Sequence, residues 1–234
     1  MMHRLRIPEL MDAPNLAPPE HLEALRGLER INQASSSVRC TLKPIVDLAK
    51  ARGLSHLHLL DVACGGAEVP IGVAAAARHA GIAIDLTLVD QSQTALAAAQ
   101  QHAVDAGIVV HTRSSSAFEQ ELPEADVVTC SLFLHHLDRP DVVRLLGRLA
   151  GATRYLLVVT DLRRSRLGWV IAWVGCRVLS RSPIVRFDGP VSVRAAWTPA
   201  ELVTMAREAG LPSARVMRLW PWRMQLIWQK GDAS

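Results

Sequence analysis

The chain has little of several things, and each shortage removes a class of function. Only 4% of its 234 residues are aromatic. They are not interleaved with basic residues as in a base-stacking surface, so no nucleic-acid partner is expected despite a formal net charge of +4 and a pI near 9.2. The four cysteines, Cys40, Cys64, Cys130 and Cys176, show no CxxC or other metal-like spacing. They read as isolated thiols in a reducing compartment, and no metal site is expected. The N-terminal segment carries Arg4, Arg6, Glu9 and Asp12 and has no apolar signal core, so the expected location is cytoplasmic. The longest apolar stretch, 167–179, is interrupted by Gly168, Gly175 and Arg177 and is too short to span a bilayer. A GxGxxG opening is also missing, because Gly65-Gly66-Ala67-Glu68-Val69-Pro70 stands where a nicotinamide oxidoreductase needs one.

What is present is a globular composition, half hydrophobic and about a fifth charged, at a length that suits one α/β domain with an extension. The run His58-Leu59-Leu60-Asp61-Val62-Ala63-Cys64-Gly65-Gly66-Ala67-Glu68 reads as a buried strand, an acid, a turn of small residues and a helix start. A second apolar strand, 84–89, ends in Asp90 about thirty residues on, the spacing of one βαβ unit. Backbone can approach a ligand closely at Gly65 and Gly66, and a carboxylate at the tip of the second strand is placed to hold ribose hydroxyls.

These residues resemble the first motif of the class I S-adenosylmethionine-dependent methyltransferases, with Asp61 followed by Ala63, Gly65 and Ala67 at the family's small-residue positions. Two of the three usual glycines are alanine, which narrows the backbone angles open to the turn. Further matching stretches follow in family order: Leu88 to Ser92, Asp126 to Ser131, His135-His136-Leu137-Asp138, and Thr198-Pro199-Ala200-Glu201-Leu202. The resemblance covers roughly residue 57 to the C-terminus and points to the ubiquinone/menaquinone-biosynthesis-like branch. It implies a Rossmann-like α/β fold with a seven-stranded sheet in the order 3-2-1-4-5-7-6, strand 7 antiparallel, helices on both faces and an N-terminal helical lid.

Periodicity predicts helices over 20–32 and 37–51, which the resemblance implies form the lid, the second capped by Ser36 or Ser37, and then alternating strands and helices as far as 160. Pro8, Pro14, Pro18 and Pro19 mark the segment before them as irregular. Residues 1–52 read as an extension and 53–234 as the methyltransferase domain, with a substrate-side insertion at 161–197. Within it, a helix bearing Trp169 and Trp173 precedes a stretch from Ser182-Pro183 to Gly189-Pro190 that reads as a punctuated loop. Thr198 caps the next helix, and 214–219 and 223–228 form a hairpin around Trp220-Pro221-Trp222.

The resemblance places S-adenosylmethionine against Asp61, Ala63, Cys64 and Gly65, with Asp90 on the ribose and Gln91 beside the adenine. Ser115, Ser116, Ala117 and Phe118 stand where the family usually has an acid for the adenine amine, and the backbone of Ser131 and Leu132 lies along the cofactor. His135 and His136 follow a strand end, where open α/β sheets place ligands, and imidazole is the side chain suited to take a phenol's proton near neutrality. His135 is favoured as the base, with His136 turned toward a helix contact. Asn32, Arg39, Asp161, Arg164, Trp169 and Trp173 are candidate acceptor contacts, Asp161 and Arg164 either binding the acceptor or pairing with each other. The expected reaction is O-methylation of a small phenolic, quinol or polyketide-like acceptor. C-methylation of a similar ring and a noncatalytic cofactor-binding role stay open. The partner expected is a small aromatic or lipophilic molecule, with peripheral membrane contact at the arginine-rich stretch 163–166 and homodimerisation also open.

Overall fold

The structure, a computed structural model, describes residues 2–13, 16–34 and 36–231; Pro14, one of the expected breakers, lies outside them. Two helices, α1 (Pro18–Ala34) and α2 (Ser37–Arg52), precede the sheet. The chain then alternates through β1 (His56–Val62), α3 (Glu68–His79), β2 (Ala83–Asp90), α4 (Gln93–Ala106), β3 (Val110–Ser114), β4 (Ala125–Ser131), α5 (Arg139–Ala152) and β5 (Thr153–Leu162). Two inserted helices, α6 (Arg166–Leu179) and α7 (Pro183–Ala195), lead to α8 (Pro199–Glu208) and the hairpin β6 (Arg215–Leu219) and β7 (Arg223–Gln229). The strand order is β3-β2-β1-β4-β5-β7-β6, with β7 antiparallel to both neighbours and the other pairings parallel. This is the expected Rossmann-like arrangement.

Strand alternation explains the two main cores. Leu60, Val62, Val128, Cys130, Leu157 and Val159 face α5 and α8, while their sequence neighbours Leu59, Val127, Leu156 and Val158 face α2 and α3. Both sheet faces are therefore covered, as parallel strands require. A third cluster joins Ala24 and Leu28 of α1 to Cys176 of α6 and Ile184 and Val185 of α7.

Two local expectations change. Ser36 precedes α2 with φ 54° and makes no side-chain cap, and the Ser37 hydroxyl instead accepts a hydrogen bond from the buried Arg223. The stretch 182–190 is not a loop. Pro183 sits in the first turn of α7, where a missing N–H costs nothing, and the helix continues through Gly189 and Pro190. Its Ile184, Val185, Val191 and Val193 are buried, and the Asp188 carboxylate accepts from the backbone N–H groups of Leu10 (2.8 Å) and Met11 (3.0 Å). Tertiary packing thus outweighs the local breakers. Thr198 does cap α8, in a reciprocal capping box with Glu201.

Candidate active site

The C-terminal ends of the parallel strands carry the expected polar residues. After β1 the chain turns through Ala63 (φ 57°), Gly65 (φ 54°) and Ala67 (φ 57°), all left-handed. The two alanines thus keep a conformation that costs a residue with a Cβ about 1–2 kcal/mol. Cross-links hold the turn in place. Cys64 N–H donates to Val89 O (3.2 Å), and the Asp90 carboxylate accepts from Gly65 N–H and from Ser92 N–H, both at 2.8 Å. A Cβ built on Gly65 would meet nothing within 4 Å, so the space over the turn is open. A fixed carboxylate beside a turn that is open at Gly65 fits the ribose and methionyl parts of a nucleoside cofactor.

Asp61 is buried and accepts a hydrogen bond from Thr129 Oγ1 on the neighbouring strand β4. Burial pushes its carboxyl up to about 7, the negative charges of Asp90 and Glu68 add to this, and Thr129 opposes it. The ligand-free folded chain therefore holds a proton that the unfolded chain releases above its ordinary value of 3.8. The resulting contribution to stability is complete below that value and is lost as pH rises through 7. Urea titrations of the ligand-free protein at pH 5 and pH 8 should show lower stability at the higher pH, and Asp61→Asn should flatten that difference. A wild-type and mutant pair with the same pH dependence would contradict the assignment.

The Cys64 thiol is pushed well up by burial and by the charges of Asp61 and Asp90, which removes it as a nucleophile. Gln91 is exposed at the start of the turn into α4. Beyond β3, Ser115 N–H donates to Asp90 O (3.0 Å), the Ser115 hydroxyl donates to Ser116 O, and Ser116 Oγ accepts from Phe118 N–H. Ala117 is buried, and Phe118 packs on the core with the Arg144 guanidinium 5.3 Å from its ring centroid. At the end of β4, Ser131 pairs with Thr160, and Leu132 takes φ 57° while its N–H donates to Thr160 O (2.8 Å).

The histidine pair sits in a 3-10 turn, Leu134–His136. His135 is buried, its Nδ1 2.6 Å from Asp161 Oδ1, and its backbone N–H donates to Asp161 Oδ2 (3.0 Å). Its Nε2 lies 3.6 Å from Glu9 Oε1, and His136 Nε2 lies 4.0 Å from Glu9 Oε2. The two imidazoles therefore converge on one carboxylate, their ligating atoms and its own all within 4.8 Å of one another. Glu9 is held by Ser192 Oγ (2.6 Å). The segment carrying it is tied down by Arg4, which donates to Leu137 O and Ala195 O, and by Arg6, which donates to His136 O.

Asp161 and Arg164 do not pair with each other. Asp161 is taken by His135, whereas Arg164 is half-buried and donates to Met2 O, Ala196 O and Glu201. Its guanidinium thus ties three chain segments together. Asn32 accepts from Arg223 (3.0 Å), a buried arginine on β7 whose own pKa burial lowers to about 10 and the charge of Asp161 raises. Arg39 is exposed on α2. Trp173 is exposed with the Arg177 guanidinium 3.9 Å over its ring, and Trp169 is half-buried on the same helix.

Thr129, Glu9 and Arg223 are polar residues beside the candidate site that sequence reasoning passed over. Arg223 and Gln225 are polar residues inside an otherwise apolar strand, a visible signal of a buried polar contact. Nothing local marks Glu9.

The chain matches the family described as "Methyltransferase domain" over residues 59–155. It is 31% identical over 190 residues to a ubiquinone biosynthesis O-methyltransferase of Pseudomonas savastanoi pv. phaseolicola, covering 76% of this chain and 77% of that protein. It is 30% identical over 182 residues to the Pseudomonas aeruginosa protein of the same name, covering 72% and 74%. Among solved structures it is similar to the plantazolicin methyltransferase with a desmethyl substrate analogue and SAH, at TM-score 0.67 and 12% identity over 91% of this chain and 92% of that one. It is also similar to the magnesium protoporphyrin IX methyltransferase of Synechocystis PCC 6803 with bound SAM, at TM-score 0.55 and 13% identity over 95% and 88%. The chain belongs to the class I S-adenosylmethionine-dependent methyltransferases, and S-adenosyl-L-methionine is its cofactor.

Proposed function

We propose that this methyltransferase acts on a hydroxyl of a small aromatic acceptor of phenol or quinol type, with His135 as general base and Asp161 as the residue that orients it. The observation that carries this reading is the 2.6 Å contact between His135 Nδ1 and Asp161 Oδ1 at the ends of β4 and β5. The names of the quinone-pathway relatives support the acceptor class. When bound, the cofactor supplies an electrophilic methyl carbon on a sulfonium. The turn at Ala63 to Ala67 and the carboxylate of Asp90 would hold it, and the positive charge of its methionyl end would favour the ionised form of the buried Asp61, which burial alone disfavours. Ser115, Ser116 and the backbone of Ser131 and Leu132 flank the same crevice, with Gln91 at its edge.

Asp161 accepts the Nδ1 proton of His135 and so leaves Nε2 with a free lone pair. An acceptor hydroxyl placed against Nε2 gives up its proton as its oxygen attacks in line. Glu9 faces Nε2 in this conformation, so the acceptor enters by displacing that side chain. The N-terminal segment and α1 and α2 then act as the lid, with Asn32 and Ser37 linked through Arg223 to the neighbourhood of Asp161.

The acceptor class is tested with the full chain, methyl-labelled cofactor, and a panel of catechol, hydroquinone, benzoate and anisole, with products assigned by mass spectrometry and NMR. The proposal expects methyl ethers of catechol or hydroquinone and no product from benzoate or anisole. Label found on a ring carbon, or transfer that does not require a free hydroxyl, would overturn it.

A further inference from the structure

Helix α6 is amphipathic in the wrong sense for a helix that merely packs on a domain. Leu167, Val170, Ile171, Val174 and Val178 are from 37% to 75% exposed. At 3.6 residues per turn they share a stripe about 100° wide. The opposite side carries small residues. Gly168 lies under the Trp222 ring, so that a Cβ there would come within 2.7 Å of it, and the Cys176 thiol lies close against Gly189 of α7. The large aliphatic side chains thus face solvent while the small ones face the protein.

Along the sequence the charges of the α6 region have one sign, with Arg164 already held by Glu201. Between residues 162 and 187 there are six arginines, Arg163, Arg164, Arg166, Arg177, Arg181 and Arg186, and no acidic residue. Arg166 and Arg177 fall on the same flank of α6 as Trp173, which Arg177 covers. The Trp220-Pro221-Trp222 turn sits beside the first turn of α6 through the Trp222 and Gly168 contact, and Trp220 is largely exposed. Arg163 and Arg218 lie close enough for each to feel the other's like charge.

From this arrangement we infer that the outward face of α6 docks on an anionic lipid surface, lying in the headgroup plane with its aliphatic stripe inserted and its arginines on lipid phosphates. Basic flanks, interfacial tryptophans and an exposed aliphatic stripe are the components of a helix that binds in the interface. The helix has 14 residues, and among the described residues no helix is long and apolar enough to cross a membrane, so it lies on the surface. A second copy of the chain fits the face less well, because a two-fold contact through it would set Arg166 and Arg177 against their own images. The inference does not depend on which acceptor the enzyme methylates.

The test is flotation of the full chain with vesicles of phosphatidylcholine alone or with about 30% phosphatidylglycerol. The wild type is expected to float with the anionic vesicles at low salt and to be released by high salt. The double variant Ile171→Glu/Val174→Glu, and the milder Val178→Glu, should float at least about tenfold less while keeping wild-type melting and SAH binding. Arg166→Glu/Arg177→Glu should remove the preference for anionic lipid, and Val104→Glu, an exposed position on α4, should change nothing. Wild-type protein that stays unbound with both vesicle types would overturn the inference, as would Ile171→Glu/Val174→Glu or Val178→Glu floating as well as wild type. A dimer in solution that Ile171→Glu/Val174→Glu dissociates, without any vesicle binding, would also overturn it and assign the face to self-association.

Discussion

Replacing Asp90 with alanine is expected to weaken S-adenosylmethionine and SAH binding by about 1.5–3 kcal/mol, the range for hydrogen bonds to a charged group. The carboxylate has two tasks, and alanine removes both. In the proposed site it binds the ribose, and it holds Gly65 N–H and Ser92 N–H at 2.8 Å each, which fixes the turn relative to α4. Asp90→Asn keeps an acceptor oxygen for one of those N–H groups and should fall between wild type and Asp90→Ala. Gly65→Val attacks the same site from the other side. Gly65 has φ 54°, where a β-branched residue is strained, and its side chain would project into the open space over the turn. Calorimetric titration with SAH measures both. Unchanged affinity in folded Asp90→Ala would remove the ribose from that position.

The second large effect concerns the histidine and its carboxylate. His135→Ala should lower turnover on a phenolic acceptor by about 10²–10⁴, the usual contribution of a general base, with SAH affinity nearly intact. Asp161→Asn should approach the same loss for a different reason. An amide NH₂ facing Nδ1 favours the tautomer with its proton on Nε2, and the lone pair that takes the acceptor's proton is lost. His136→Ala is the control, expected to retain most activity because His136 makes no comparable contact with Asp161. Equal losses in His135→Ala and His136→Ala would point to the shared Glu9 contact as the important feature.

How much of this was legible in the sequence depends on the range of the interactions. Strand alternation in 57–62, 126–131 and 155–160 and the small-residue turn after Asp61 are local signals, and they marked the strands, the turn and Asp90 at the end of β2, whereas the strand order came from the family resemblance. The stretch 183–190 read as a loop because Pro183 and Gly189-Pro190 are local breakers. It forms a helix because four of its aliphatic residues are buried and Asp188 satisfies the backbone of the N-terminal segment. Glu9 reaches His135 across 126 positions of sequence, and no periodicity or composition could announce that contact. Asp161 was legible as a polar residue at a strand end, but its partner was not. The strand register puts Arg223 opposite Leu162 and so brings a buried cation near Asp161, which leaves Arg164 to Glu201.

The proposed reaction turns on removal of the acceptor's proton by the Asp161-held imidazole of His135. Its most direct test compares wild type with His135→Ala in single-turnover methyl transfer to catechol and to a nitro-substituted catechol that is already ionised at the assay pH. The base matters only where there is a proton to remove. A defect of about a hundredfold or more on catechol that shrinks to near unity on the ionised acceptor is the predicted result. The same defect on both acceptors would contradict the claim and reduce His135 to a structural support.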